Sequence, residues 1–212
     1  MKKTEVIIIG IILISFALGI YLYPQMPENM ASHWDAQGRV NGYMPKLLGL
    51  FLMPFISIIL FLLFVIIPKI DPLEFNIKKF RNHYDRFVML VIIFLFYIYL
   101  LSIFWNFNDE FDMIQMLSPA FAILFYYCGI LIENAKRNWF IGIRTPWTMS
   151  NEKVWNKTHK IGGKLFKITG LITLFGIVFP GYAIFFIIVP IILVVAYTFV
   201  YSYFEYRKET RK

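Results

Sequence analysis

The sequence predicts an all-α protein, a polytopic membrane helical bundle of six transmembrane helices with both termini in the cytoplasm. Composition is the first reason, because 59% of the 212 residues are hydrophobic and only 16% are charged, which is unlike a soluble domain. The second reason is a series of long apolar runs, close to the roughly 20 residues that a helix needs to cross a bilayer. The third is the uneven distribution of lysine and arginine between these runs.

Six runs are candidates for membrane spans. The least certain covers about 165–180, is short and carries Lys167, so a re-entrant element is an alternative there. The first run lacks a small-residue cleavage site, so we expect a retained helix rather than a signal peptide. The single cysteine, Cys128, lies in the fourth run and excludes an internal disulfide. The five runs without Asp, Glu, Lys or Arg are 6–23, 47–67, 87–104, 113–132 and 182–203.

Lysine and arginine predict the side of the membrane on which each loop lies. Nineteen of the 21 fall at the termini, between the second and third runs, or between the fourth run and the start of the fifth span. The first loop has only two, and the third loop carries Asp109, Glu110 and Asp112 instead. Since cytoplasmic loops carry the excess of positive charge, loop 24–46 is predicted outside and loop 133–164 inside.

The same observations divide the chain into two regions and suggest a first partner. We expect an N-terminal membrane region over 1–104, with external loop 24–46, and a second membrane region over 105–212, with cytoplasmic loop 133–164. The net charge of +8 then indicates a bilayer with anionic lipids as the partner and no direct contact with nucleic acid. The predicted location is the cell membrane.

The external loop, "PQMPENMASHWDAQGRVNGYMPK", contains the first group of candidate site residues. His33 and Asp35 could converge on one proton or metal ion. The alternative is that Trp34, beside charged groups at a membrane boundary, is an interfacial anchor, and two ligands are too few for a zinc site. Gln37-Gly38 and Asn41-Gly42 are turn signals that predict a compact external cap.

The internal segment "NWFIGIRTPWTMSNEKVW" (138–155) contains the second group. Gly142 and Pro146 favour a turned or extended backbone that holds Arg144 in a defined place. Ser150 is expected to cap a following helix, with Trp155 on its apolar face and lysines on its back, until Gly162-Gly163 weakens the pattern.

Two interpretations of this internal segment remain open. In the first, its helix lies in the plane of an anionic membrane surface. In the second, Arg144 forms a fork for a carboxylate, a phosphate or a peptide terminus. One of three tryptophans (Trp139, Trp147, Trp155) would stack on the guanidinium, and Asn138 and His159 would add hydrogen bonds.

The sequence offers little for catalysis or transport. It contains no GxSxG, HExxH, Walker or CxxC motif, so no catalytic residue, cofactor or metal is predicted. No chain of ionisable residues crosses the runs, as a proton-coupled transporter usually requires. A membrane enzyme acting on a peptide or lipid headgroup stays an alternative, and a small-solute transporter is a weaker one.

Both loops carry a resemblance to known sequences. The internal "NWFIGIRTPWTMSNEKVWNKTHKIGG" resembles the signature of the SdpI family of bacterial membrane proteins. The external "MPENMASHWDAQGRVNGYMPK" is similar to the Pro-x-x-x-x-x-His and Gly-x-x-x-x-Tyr pattern of a small membrane domain of unknown function that often precedes this signature.

The resemblance implies a six-span immunity protein that protects its producer against a secreted, membrane-active peptide toxin. In the founding system of the family, such a protein also signals by holding a soluble repressor at the membrane once toxin has bound. The residues implied for toxin or partner contact are Asn138, Gly142, Arg144, Thr145, Pro146, Trp147, Trp155, Thr158, Gly162 and His159, the last where asparagine is frequent. In the external loop they are His33, Trp34, Asp35, Gly38 and Tyr43.

Overall fold

The computed structural model describes residues 3–107 and 111–211. Lys2, Lys212, Asp109 and Glu110, which entered the prediction of sidedness, lie outside these residues. Most of the described chain is helical, with one β-hairpin between the first two long helices. The helices are α1 Lys3–Leu22, α2 Lys46–Ile70, α3 Glu74–Lys79, α4 Arg81–Asn106, α5 Met113–Asn134, α6 Pro146–Ser150, α7 Glu152–Thr173, α8 Phe175–Val178 and α9 Ala183–Thr210, and the strands are β1 Asn29–Trp34 and β2 Val40–Pro45.

Six helical segments of the described chain are long and apolar enough to cross a membrane, which confirms the predicted fold class. The fifth run belongs to a 27-residue segment that begins at Glu152 and therefore does not form a re-entrant loop. The chain is accordingly a multi-pass membrane protein. The six segments are Lys3–Gln25, Lys46–Ile70, Arg81–Asn106, Met113–Asn134, Glu152–Val178 and Pro180–Thr210.

The start of α7 corrects two expectations. The side-chain oxygen of Asn151, not of Ser150, caps the helix by accepting from the backbone N–H groups of Lys153 (2.9 Å) and Val154 (3.2 Å). Ser150 ends α6, where its hydroxyl donates to a carbonyl of that helix. The interpretation of this segment as a separate interfacial helix is wrong, because α7 continues past Gly162-Gly163 into the fifth span without a break.

The long helices pack in two groups of three. The first contains α1, α2 and α4, the second contains α5, α7 and α9, and α4 packs against α5 where the groups meet. The α5–α7 interface is the closest, because glycines let the two backbones approach. A Cβ atom on Gly129 would lie 2.5 Å from the carbonyl oxygen of Gly163, and one on Gly170 would lie 2.6 Å from that of Ala122.

The external loop folds as an antiparallel hairpin of β1 and β2. Its turn contains Gly38, with φ +76°, as the Gln37-Gly38 signal predicts. The second predicted turn, at Asn41-Gly42, is wrong, because both residues lie in β2. Gly42 is opposite His33, and a Cβ atom on it would lie only 3.0 Å from that of His33, so the strands need a glycine there.

The hairpin is fixed to the helices by Asn106, at the end of α4. The amide oxygen of Asn106 accepts from the backbone N–H of Ala31 at 2.8 Å, and its nitrogen donates to the carbonyl of the same residue at 3.1 Å. The end of the bundle with residues 29–45 is called the hairpin side below. The opposite end, with residues 135–151 and the end of α9, is called the basic side.

Candidate functional site

The loop between α5 and α6 is built around the side chain of Asn138, which is completely buried. Its amide oxygen accepts from the backbone N–H groups of Phe140 (2.9 Å) and Ile141 (2.6 Å). Its amide nitrogen donates to the carbonyls of Lys136 and Ile141, both at 2.8 Å. All the polar capacity of this amide is therefore used to shape the loop, and the structure does not place it as a ligand contact.

Asp71, between α2 and α3, joins this loop to the first helix group. The carboxylate is 3% exposed and accepts from the backbone N–H of Leu73 at 2.6 Å and of Trp139 at 2.8 Å. Sequence reasoning missed this residue because its second partner is 68 positions away. The contact holds the loop across the boundary between the two groups of helices.

His159 fixes the other end of the loop against α7. Its ring is 1% exposed and stacks on Trp155, with centroids 3.8 Å apart. One ring nitrogen, Nε2, accepts from the backbone N–H of Ile143 at 3.0 Å. The other, Nδ1, must then carry the proton, which it donates to the carbonyl of Trp155 at 2.8 Å.

Two of the signature glycines permit this close approach. Gly142 has φ +114°, a conformation that other residues rarely adopt, and a Cβ atom on it would run into Nε2 of His159. A Cβ atom on Gly162 would overlap the side chain of Ile143. The loop therefore rests directly on the backbone of α7.

Thr145, Pro146 and Trp147 attach the loop to α9. Thr145 forms a capping box with Thr148 at the start of α6, and Pro146 occupies the first turn of this helix. The hydroxyl of Thr145 also lies 3.0 Å from that of Ser202 on α9. Trp147 packs edge-on against two aromatic rings of α9, those of Phe199 and Tyr203, each with its centroid 5.1 Å away.

Arg144 is the exposed cation of this loop. One guanidinium nitrogen donates to the carbonyl of Trp139, and no Asp or Glu of the described residues forms an ion pair with it. The expected stacking of an indole on Arg144 is wrong, because Trp155 stacks on His159 and Trp147 on α9. The other guanidinium donors remain available to an anion.

A cavity of about 490 Å³ lies beneath Arg144, between the two groups of helices. Side chains of α2, α4, α5, α7 and α9 form its walls, and residues 140–145 form its end on the basic side. The walls are almost entirely apolar, and include Phe64, Phe87, Leu131 and Phe199. The cavity and the exposed guanidinium together can hold a molecule that is apolar along its length and anionic at one end.

Thr158 lies on the buried face of α7 and is 0% exposed. Its hydroxyl has no hydrogen-bond partner among the described residues. A buried, unpaired hydroxyl costs stability, and nothing in the structure explains why a threonine occupies this position.

On the hairpin side, the expected pairing of His33 with Asp35 does not form. The imidazole of His33 bonds the side chain of Asn41. The carboxylate of Asp35 accepts from the backbone N–H groups of Arg39 and Gln37, both at 2.9 Å. The bond from the Arg39 backbone is the main cause that lowers the pKa of Asp35, so the carboxylate is ionised and engaged in the turn.

The remaining hairpin residues differ in exposure. Trp34 packs edge-on against Trp105 of α4, at 5.9 Å between ring centroids, which fits a role in fixing the hairpin. Tyr43 is 64% exposed. Among the described residues, no group of three or more His, Cys, Asp or Glu side chains is arranged to hold a metal ion.

Comparison with known proteins supports the resemblance on both sides of the bundle. The model of the SdpI/YfhL protein family matches residues 134–202, and that of a domain of unknown function (DUF1648) matches residues 10–58. Immunity protein SdpI of Bacillus subtilis (strain 168) is 27% identical over 207 residues, which cover 97% of this chain and 97% of that protein. No solved structure matches the chain.

Proposed function

Because this chain belongs to the SdpI/YfhL protein family, we propose that it is an immunity protein of the cell membrane that protects its producer against a secreted, membrane-active peptide toxin. The observation that carries this proposal is the similarity to Immunity protein SdpI over 97% of both chains. It therefore covers the hairpin, all six candidate spans and the basic loop. A shared fold alone supports much less.

The proposal places the hairpin outside the cell and both termini inside, as the charge distribution predicts. The hairpin then presents exposed polar and aromatic groups to an incoming peptide, among them His33, Arg39 and Tyr43. The hydrogen bonds of Asn106 hold it against the bundle. A peptide bound there would meet a rigid surface that is continuous with the first helix group.

A survival assay tests the immunity function. The chain is expressed in a strain that lacks a protein of this family and is exposed to supernatant from toxin-secreting Bacillus subtilis. We expect higher survival than in cells with an empty vector. Equal killing, with the protein present in the membrane in normal amount, would remove the proposal for that toxin.

Thiol labelling tests the sidedness. Cys128 is first replaced by alanine, and single cysteines are introduced at Gln37 in the hairpin turn and at Ser150 on the basic side, both of which are exposed. An impermeant maleimide applied to intact cells should label position 37 and reach position 150 only after lysis. Labelling of both positions in intact cells would overturn the proposed orientation.

A second role, signalling through a soluble repressor held on the basic side, rests on the surface there. Lys153 and Lys164 are exposed on the back of α7, so an acidic protein surface would suit this face. Pull-down of cytosolic proteins with the wild-type chain and with a Lys153→Gln/Lys164→Gln variant, with and without toxin, tests this role. A partner retained equally by both proteins would contradict it.

The alternative of a membrane enzyme finds less support. His159 uses both ring nitrogens in bonds to the backbone, and Asp35 is engaged in the hairpin turn. A general acid or base needs a free position that faces its substrate. We therefore propose a function in binding, without turnover.

A further inference from the structure

The cavity beneath Arg144 lies at the level of the membrane spans and opens sideways. Helix α2 packs on α1 and α4, and α9 packs on α5 and α7, whereas α2 and α9 form no extensive interface with each other in the described chain. Two lining residues of α9, Val195 and Phe199, are 54% and 52% exposed. The wall of the cavity is therefore continuous with the lipid-facing surface of α9, and a hydrocarbon chain has a path into it.

The end of the cavity on the basic side differs in character from its walls. Arg144 and Thr145 lie there, and Thr145 bonds Ser202 of α9. Ser202 is seven residues from the lining residue Val195, which corresponds to roughly 10 Å along a helix. The cavity thus offers an apolar slot about two helical turns deep, with an unpaired guanidinium at its end.

We propose that this cavity binds one anionic phospholipid of the adjacent leaflet, with part of an acyl chain between α2 and α9 and the phosphate on Arg144. A volume of about 490 Å³ is typical of sites that bind small ligands. The planar guanidinium matches the geometry of a phosphate. The bilayer supplies acyl chains directly at the side opening, which a free anion or a soluble peptide could not use.

Charge complementarity favours an anionic over a zwitterionic lipid. Lys136 and Arg137 precede the loop in sequence, and the only polar contact of the Arg144 guanidinium with described residues is the carbonyl of Trp139. A headgroup with net negative charge gains from all three cations, whereas the choline of phosphatidylcholine is repelled by them.

Native mass spectrometry of the delipidated full-length protein, with phosphatidylglycerol and phosphatidylcholine of identical chains as probes, tests the proposal. The wild-type protein should bind one phosphatidylglycerol at a lower concentration than phosphatidylcholine. Arg144→Gln should weaken phosphatidylglycerol binding about tenfold or more, since it removes a charge-assisted hydrogen bond. Lys160→Gln removes an exposed charge of α7 outside the cavity and should leave binding unchanged.

A second pair of variants tests the cavity itself. Val195→Trp fills its mouth and should also abolish the preferential binding. Leu193→Trp, at a position of α9 that is 62% exposed but does not line the cavity, should not. These two variants add the same bulk to the same helix, so a general effect of tryptophan on α9 would appear in both.

Four results would overturn the proposal. Equal binding of the two phospholipids by the wild-type protein is the first. An effect of Arg144→Gln without one of Val195→Trp is the second, since it would place the lipid on the basic surface alone. Complete displacement of the lipid by inorganic phosphate, or tighter binding of a fatty acid of the same chain length, would identify another ligand. None of these results bears on the immunity function, which survival measures separately.

Discussion

The Nε2 atom of His159 accepts a hydrogen bond from the backbone N–H of Ile143 at 3.0 Å. This contact ties the loop that carries Arg144 to the buried face of α7. Asn138 and Gly142 serve the same end from within the loop. Most of the signature residues therefore build a rigid support, and Arg144 is the member that they leave exposed.

His159→Phe tests the importance of this contact. Phenylalanine preserves an aromatic ring beside Trp155 but leaves the N–H of Ile143 unpaired. We expect the free energy of unfolding in mild detergent to fall by about 1–3 kcal/mol. His83→Phe is the matched control, because the His83 ring has no hydrogen bond among the described residues, and an equal loss in both variants would contradict the assignment.

Gly142→Ala tests the geometry of the loop. Alanine is strained at φ +114°, and its Cβ atom would displace His159, so we expect a loss of about 1–3 kcal/mol in unfolding free energy. Gly10→Ala in α1 is the control, since a Cβ atom there meets nothing within 4 Å, and it should be neutral or slightly stabilising. The loop geometry is wrong if the two alanine variants unfold alike.

The sequence predicts the spans well because length and hydrophobicity alone decide which segments can cross a bilayer. It predicts the start of α7 poorly, because the lysines at 153, 157, 160 and 164 give the segment a polar average while its other face is buried. The contact between Asp71 and Trp139 has no local pattern, since it joins residues 68 positions apart. Asn41-Gly42 signals a turn, and only the opposite strand shows that Gly42 instead makes room for His33.

Thr158→Val should raise stability. The two side chains have similar shapes, and the hydroxyl of Thr158 is buried without a partner, so its removal should increase the unfolding free energy by about 1 kcal/mol. The control is Thr148→Val, because the equally buried hydroxyl of Thr148 donates to the carbonyl of Ile143 at 2.8 Å. Thr148→Val should destabilise, and the same sign of change in both variants would mean that Thr158 has a partner.

Arg144→Lys should reduce protection in the survival assay, although it keeps the charge. A lysine cannot reproduce the planar, bidentate fork of the guanidinium, nor hold the carbonyl of Trp139 while binding an anion. Lys160→Arg, an exchange of the same two residue types on the exposed surface of α7, is the control. Equal survival of wild-type and Arg144→Lys cells, at equal membrane amounts, would count against a specific contact at this position.

The ion pair between Lys167 and Glu133 should act as a unit that joins α7 to α5. Their side chains meet at 2.8 Å and are only 27% and 25% exposed, so either charge alone is poorly solvated inside a span. We expect Lys167→Met to lower the unfolding free energy by about 1–3 kcal/mol, and Glu133→Leu added to it to restore part of this loss.

The four unfolding free energies of wild type, both single variants and the double variant give the coupling between these two charges. A favourable coupling means that the second substitution relieves the charge left unpaired by the first. Strictly additive losses would instead mean that each side chain finds its own solvation, with Lys167 reaching the membrane interface as lysines near helix ends do. The glycines at 129 and 163 would then hold α5 against α7 by backbone packing without help from the ion pair.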